Sequence, residues 1–373
     1  MNPAQQLIKF GQSLWYDNIS RDIIDNGELK RMIAEWGVRG LTSNPTIFDQ
    51  AISKSALYDG IIGEGKKKGL SPDKIFEELS AADIAAAADL FRPVYDQSNG
   101  DDGFVSIEVS PLLAADTQGT IDEARRLHKL LNRPNVMIKV PGTPEGIPAV
   151  RALLEAGINV NITLLFSVSN YVEVAKTYVE ALRARVKRGE PIDKIRSVAS
   201  FFVSRVDSTI DQKLTAIIEK NSASDPAAAE AAKGLLGQFG IANCKLAYEQ
   251  FEKIFTSSAF DDLKSKGGAV QRPLWASTGT KNPAYRDVMY VETLIGPHTV
   301  NTMPPQTVTA TVDHAVVAET LTKGLDQAKQ VEAGLKRLGI DIDGALHDLQ
   351  VDGVKKFAES FRALNETIKK KLV

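Results

Sequence analysis

Asn135-Val-Met-Ile-Lys-Val-Pro141 is an apolar run with one cation set inside it. Successive side chains of a strand point to opposite faces. Val136, Ile138 and Val140 therefore share one face, and Met137 and Lys139 the other, with Lys139 near the C-terminal end. The pattern repeats on either side. In Phe104-Val-Ser-Ile-Glu-Val109, the residues Val105, Ile107 and Val109 oppose Ser106 and Glu108. In Asn159-Val-Asn-Ile-Thr-Leu164, Val160, Ile162 and Leu164 oppose Asn159, Asn161 and Thr163. Each segment has an apolar side suited to covering helices and a side that turns polar groups inward.

Runs of this kind recur at Ser13–Ile19, Arg39–Pro45, Gly103–Pro111, Asn135–Pro141, Ile158–Phe166, Ser197–Ser204, Arg272–Gly279 and Glu292–Pro297. Amphipathic stretches lie between them, among them Arg21–Trp36, Asp73–Asp96, Thr120–Asn132, Val168–Arg188 and Arg205–Glu219. Alternating strands and helices read as right-handed βαβ units, hence a parallel sheet with helices outside. Eight units with no polar linker between halves favour closure, so the expected fold is α/β, a (β/α)8 TIM barrel with extra helices. Residues 1–373 read as a single domain in which 306–373 form a helical C-terminal extension, with breaks near Gly339 and at 341–344. Two uses stay open for that tail: capping one end of the barrel, or forming an interface in a homo-oligomer.

The 373 residues include 45 Lys+Arg and 47 Asp+Glu, a formal charge of −2, and are 43% hydrophobic and 25% charged. This is ordinary globular composition at a length that buries a large core. Near-neutrality argues against a general nucleic-acid binder. Cys244 stands alone, which excludes an intrachain disulfide framework and suits a reducing compartment. The first ten residues lack the apolar core of a signal peptide, and no run approaches the ~18 apolar residues of a membrane span. A cytoplasmic protein with no membrane contact is expected.

Two weaker signals are set aside. Gly60-Ile-Ile-Gly-Glu-Gly-Lys66 nearly matches a phosphate-binding loop, but Lys67 stands where Ser or Thr should hold magnesium and no strand precedes it, so a solvated loop with Lys66–Lys68 is expected. His128, His298, His314 and His347 show no metal-ligand spacing. His298, placed just after the eighth run and so within reach of a barrel mouth, reads as structural because nothing pairs it with a base or metal.

The polar strand residues carry the chemistry. Asp17 alternates with Tyr16; Thr42 and Asn44 share one face; Ser200 shares its face with Val198 and Phe202; Ser277 shares its face with Trp275. These fall near the C-terminal ends of strands, where active sites of such barrels are assembled. The rival reading of Asp17, Glu108 and Lys139 is a buried ionic cluster that only specifies packing. Such clusters stabilise weakly because desolvation is expensive, so chemistry explains them better. An inward lysine suits nucleophilic attack on a carbonyl, with desolvation favouring the neutral amine and a nearby carboxylate opposing it. Carbinolamine formation and dehydration need proton shuttling, for which Glu108 and Thr163 are suitable types. The resulting iminium is an electron sink that lets a carbon–carbon bond break, with Asp17 as base for the departing hydroxyl. No metal or organic cofactor is required.

Leu-Trp-Tyr-Asp17, Leu-Thr42-Ser-Asn44-Pro-Thr-Ile-Phe, Ile-Glu108-Val, Met-Ile-Lys139-Val-Pro-Gly-Thr, Ile-Asn-Val-Asn161-Ile-Thr163-Leu-Leu-Phe-Ser and Ala-Ser200-Phe-Phe-Val-Ser-Arg205-Val-Asp together resemble the transaldolases, specifically their longer subfamily. The resemblance covers roughly residues 5–350. It implies transfer of a dihydroxyacetone unit in the non-oxidative pentose phosphate pathway, exchanging sedoheptulose 7-phosphate and glyceraldehyde 3-phosphate with erythrose 4-phosphate and fructose 6-phosphate. By the same resemblance, Lys139 is the Schiff-base lysine, Asp17 the acid/base for the C4 hydroxyl, and Glu108 the carboxylate working through a water beside Thr163. Thr42, Asn44, Asn161 and Ser200 would orient the donor, and Arg205 would bind phosphate. Shorter relatives carry Ser-x-Arg after the seventh strand; this chain reads Ser277-Thr-Gly-Thr-Lys281-Asn282, leaving Ser277, backbone amides near Gly279, and Lys281 as a point charge. Competing readings are a Schiff-base aldolase that releases free dihydroxyacetone and a non-catalytic barrel that binds sugar phosphates.

Overall fold

The computed structural model describes residues 1–372. Eight strands, β1 Gln12–Tyr16, β2 Val38–Leu41, β3 Val105–Glu108, β4 Val136–Pro141, β5 Val160–Leu165, β6 Ser197–Phe202, β7 Arg272–Ala276 and β8 Thr299–Met303, pair in chain order, and β8 pairs back to β1. Every pair is parallel. The expected closed barrel is what the chain forms.

Strand alternation sorts the apolar residues into two packed groups. Leu14, Val105, Ile107, Ile138, Val140, Val160, Ile162 and Ala199 join the layer between sheet and helices. Trp15, Phe104, Met137, Val198, Leu274 and Val300 join the group that fills the barrel. Leu164 departs from its expected outward place. Its φ is +60°, the β5–β6 pairing shifts between Ile162 and Leu165, and Leu165 takes the outward position instead. Trp275 also faces outward, edge-on to Phe201 with its indole donating to Leu294 O at 3.1 Å. Ser277 therefore does not reach the interior by sharing a strand face with Trp275. It lies beyond the end of β7, turned by its own φ of +60°.

Three further expectations need correction. The eighth strand is Thr299–Met303, whereas Met289–Thr293 is helical. A short run such as 292–297, with Leu294 and Ile295 as its apolar centre, does not by itself separate helix from strand. His298 consequently precedes β8, at the opposite end of the barrel from the strand C-termini. The stretch Arg21–Trp36 is not one helix: it breaks at Asn26–Gly27, where Gly27 adopts φ +81° and the Asn26 side chain accepts from Glu28 N at 2.8 Å. Residues Gly60–Lys66 lie in the helix Asp59–Lys67 rather than in a loop.

In the tail, Pro305–His314 follows β8 directly, Leu325–Arg337 comes next, and Ile342–Lys371 closes the chain. The break at Gly339 (φ +76°) is present, and Asp341 caps the last helix by accepting from Gly344 N at 3.0 Å. That helix packs across the barrel's C-terminal rim, where the Gln350 amide donates to Leu164 O at 3.0 Å and Gly142 O at 3.1 Å. No helix among the described residues is long and apolar enough to cross a membrane.

The opposite end of the barrel is closed by charged side chains. Asp102, 3% exposed, accepts from Trp15 Nε1 at 2.9 Å, from Arg39 Nε at 2.9 Å and from the Ser13 hydroxyl, with Arg272 3.7 Å away. Arg272 itself donates to Thr299 O at 2.6 Å. Polar groups at this face of a barrel serve stability. Asp102→Ala strips the partner from a desolvated guanidinium, so it should destabilise by about 3 kcal/mol or more. Thermal unfolding checks this; a melting temperature equal to that of the unsubstituted chain would contradict it.

Candidate active site

The C-terminal ends of the strands open into a cavity of about 180 Å³. Asp17 enters it from just beyond β1, Thr42 and Asn44 from beyond β2, Lys139 from β4, Thr163 from β5 and Ser200 from β6. Arg205 comes from the first turn of the helix Ser204–Asn221, and Ser277 and Lys281 from the loop after β7. Glu108 and Asn161 do not line this cavity. They sit directly behind it: Glu108 Oε2 is 3.6 Å from Lys139 Nζ, and Asn161 Oδ1 accepts from Ser200 Oγ at 2.6 Å while its amide donates to Ser106 Oγ at 3.1 Å. All eleven residues expected from the sequence thus lie in or against one place.

The central pair follows from register. Glu108 and Lys139 are Cα partners across β3 and β4, so two side chains of equal parity must project inward together. Their side chains are only 6% and 7% exposed. Lys139 Nζ also donates to Ser43 O at 3.3 Å. Burial pushes the Glu108 carboxyl up to about 7, against the downward pull of Lys139. Glu108 therefore exchanges its proton near neutrality. Burial also raises Asp17, opposed first by Lys139, then by a hydrogen bond from Thr42 Oγ1 at 2.6 Å, and by the charges of Arg205 and Lys281. The two acids thus share one cation across the site.

Glu108 Oε2 and Thr163 Oγ1 are buried without a hydrogen-bond partner among the described residues. Such atoms are uncommon in folded proteins, and their lying on the two strands that flank Lys139 fits a place where a transient hydroxyl or water must be held. At the opposite side, Ser277 Oγ lies 2.9 Å from Ser204 Oγ, and the Arg205 guanidinium stacks over Phe202 at 5.2 Å. Arg205, Lys281 and Ser277 make this the cationic, anion-attracting wall. No cluster of three or more His, Cys, Asp or Glu able to hold a metal occurs among the described residues.

Sequence reasoning missed four contributors. Thr302 of β8 lines the cavity and shares a 2.6 Å hydroxyl contact with Thr42; Pro304 and Gln306 follow it. Placing β8 at its true position would have found Thr302. Phe357, from the final helix, also lines the cavity, and no local pattern announces it.

The model of the family "Transaldolase/Fructose-6-phosphate aldolase" matches residues 14–368. The chain belongs to this family. It is 47% identical over its full length to "Transaldolase" of Trichodesmium erythraeum, covering 98% of that protein. It is 46% identical to "Transaldolase 2" of a Nostoc species, with 100% of this chain and 98% of the relative aligned. With "Transaldolase" of Thiobacillus denitrificans the identity is 43%, over 98% of this chain and 99% of the relative. The resemblance read from the motifs is borne out, and the transaldolase-family chain is an enzyme of the transferase class.

The raised Glu108 pKa has a consequence for stability. Between its ordinary 4.5 and about 7, the native transaldolase-family chain holds a proton that the unfolded chain has lost. Its contribution to stability therefore falls as pH rises through that window. Glu108→Gln removes this slope, so melting temperatures at pH 5 and pH 7.5 should differ less in the variant than in the unsubstituted enzyme. An unchanged difference would contradict the assigned ionisation.

Proposed function

We propose that the enzyme transfers a dihydroxyacetone unit between sugar phosphates through a Schiff base on Lys139, converting sedoheptulose 7-phosphate and glyceraldehyde 3-phosphate to erythrose 4-phosphate and fructose 6-phosphate. The observation that carries this reading is the buried amine of Lys139 set 3.6 Å from a carboxyl that titrates near neutrality, with Asp17 facing it in the same cavity.

Nζ, as the neutral amine, attacks the ketose C2 and forms a carbinolamine. Glu108, protonated, passes its proton through a water beside Thr163 to the C2 hydroxyl, which leaves as water, and an iminium remains. Asp17, held by Thr42 through Oδ1, takes the C4 hydroxyl proton. The C3–C4 bond breaks, its electrons pass to the iminium, and an aldehyde departs from the enamine. An acceptor aldehyde then enters, the enamine carbon attacks it, Asp17 returns the proton, and water restores the amine and the ketone. Ser200, held by Asn161 Oδ1 at 2.6 Å, and Asn44 orient the donor's hydroxyls. Arg205, with Ser277 and Lys281, takes the phosphate. A cytoplasmic setting belongs to the same proposal, consistent with the lone, buried Cys244.

Assaying sugar-phosphate exchange beside free dihydroxyacetone tests the transferase reading: exchange should dominate, and predominant release would make the protein an aldolase. Lys139→Ala should lose turnover by on the order of 10⁴-fold or more, the scale of deleting a covalent nucleophile, while remaining folded. Retained turnover would contradict the role. Asp17→Asn should lower kcat by about 10²–10⁴-fold while imine formation persists, because only proton transfer at the departing end is lost. Equal loss of both steps would contradict that division.

A further inference from the structure

The helix Ile342–Lys371 presents Gln350, Gly353, Phe357, Phe361, Leu364 and Ile368 at spacings of three and four residues, one continuous face. This face lies on the barrel rim. Gln350 grips the ends of β4 and β5 and reaches Asn170 Oδ1 at 3.0 Å. Gly353 accommodates Leu164: a Cβ there would stand 2.9 Å from Leu164 Cδ2. Beyond the cavity, Phe361 packs edge-on to Phe76 at 5.9 Å and Thr367 donates to Asp49 at 2.6 Å. Phe357 is thus anchored on both sides. It is 7% exposed, and Lys139 Nζ lies 5.6 Å from its ring centroid.

We propose that Phe357 covers the Lys139 adduct against bulk water and thereby sets whether the enamine is passed to an aldehyde or lost as free dihydroxyacetone. This rests on the Schiff-base reading above. Once the donor aldehyde has left, the enamine has two fates. Its carbon attacks an acceptor carbonyl, forming the new C–C bond and regenerating the iminium. Alternatively, that carbon takes a proton from solvent, water adds at C2, the C–N bond breaks, and dihydroxyacetone departs as Nζ recovers its hydrogens as an amine. Only the second fate needs a solvent proton at carbon. A transferase must slow it, and an apolar ring beside the nitrogen does so while its face favours the cationic iminium. The single water of productive turnover is handled at Glu108 and Thr163.

The test measures dihydroxyacetone released per transfer event, with fructose 6-phosphate as donor and erythrose 4-phosphate as acceptor. Phe357→Ala should raise this ratio by about fivefold or more, the scale of losing one desolvated ring contact and its water barrier. Phe357→Leu, which keeps apolar bulk, should bring it back to within about twofold of the unsubstituted enzyme. A purely structural role lowers transfer and release together and leaves the ratio still, and that result would overturn the inference, as would failure of Phe357→Leu to restore it. Borohydride reduction with fructose 6-phosphate separates the two levels. Label absent from Lys139 in the unsubstituted enzyme overturns the Schiff base itself, whereas label on Lys139 in all three proteins with an unmoved ratio overturns the covering role alone.

Discussion

A lysine and a glutamate, 3.6 Å apart and both more than nine-tenths buried, set the terms for everything around them. Removing two charges from water costs several kcal/mol per ion, and their attraction repays this only where the surroundings complete the job. Here the surroundings do so incompletely. Lys139 has Ser43 O, but Glu108 Oε2 and Thr163 Oγ1 have no hydrogen-bond partner among the described residues. A cluster selected only for packing would have closed these gaps. The incomplete solvation instead lifts Glu108 to about 7, where it gives and takes a proton readily. In the proposed reaction, that exchange carries the carbinolamine to the iminium.

Strand alternation and parallel closure make this arrangement obligatory. With Glu108 opposite Lys139 and Lys139 opposite Asn161 in the sheet, one inward parity brings three polar side chains together. The same parity sends Met137, Phe104 and Trp15 into the barrel beneath them as an apolar floor. Function and stability are then divided by direction along the strands. The C-terminal ends hold the reactive groups, and the N-terminal ends hold the Asp102–Arg39–Arg272 network with Trp15. The tail adds a third layer: the final helix rests on the rim over β4 and β5, the strands that contribute Lys139 and Thr163.

Lys139, Glu108, Asn161, Thr163 and Ser200 were legible because a two-residue period is local and their neighbours are strongly apolar. Asp17, Thr42 and Asn44 lie just past β1 and β2, and their polar side chains directly after the strand ends marked them. Where the chain leaves that period, legibility ends. Leu164 and Ser277 both adopt positive φ, which costs energy for residues with a Cβ and is decided by tertiary packing rather than by local pattern. Ser277 reached the cavity all the same, by a turn rather than by strand parity. The eighth strand was misplaced because a short run such as 292–297 supports helix and strand alike, and Thr302 was lost with it. Asp102 and Phe357 act across the fold, on partners distant in sequence, and nothing near them marks that role.

The proposed chemistry depends on a covalent bond between Lys139 and a sugar ketone. A crystal structure of the enzyme soaked with fructose 6-phosphate tests it most directly. Continuous density should run from Lys139 Nζ to C2 of the sugar, with the Asp17 carboxylate within hydrogen-bonding distance of the C4 hydroxyl and the phosphate against Arg205. A sugar bound in that cavity with Nζ turned aside and unbonded would contradict it.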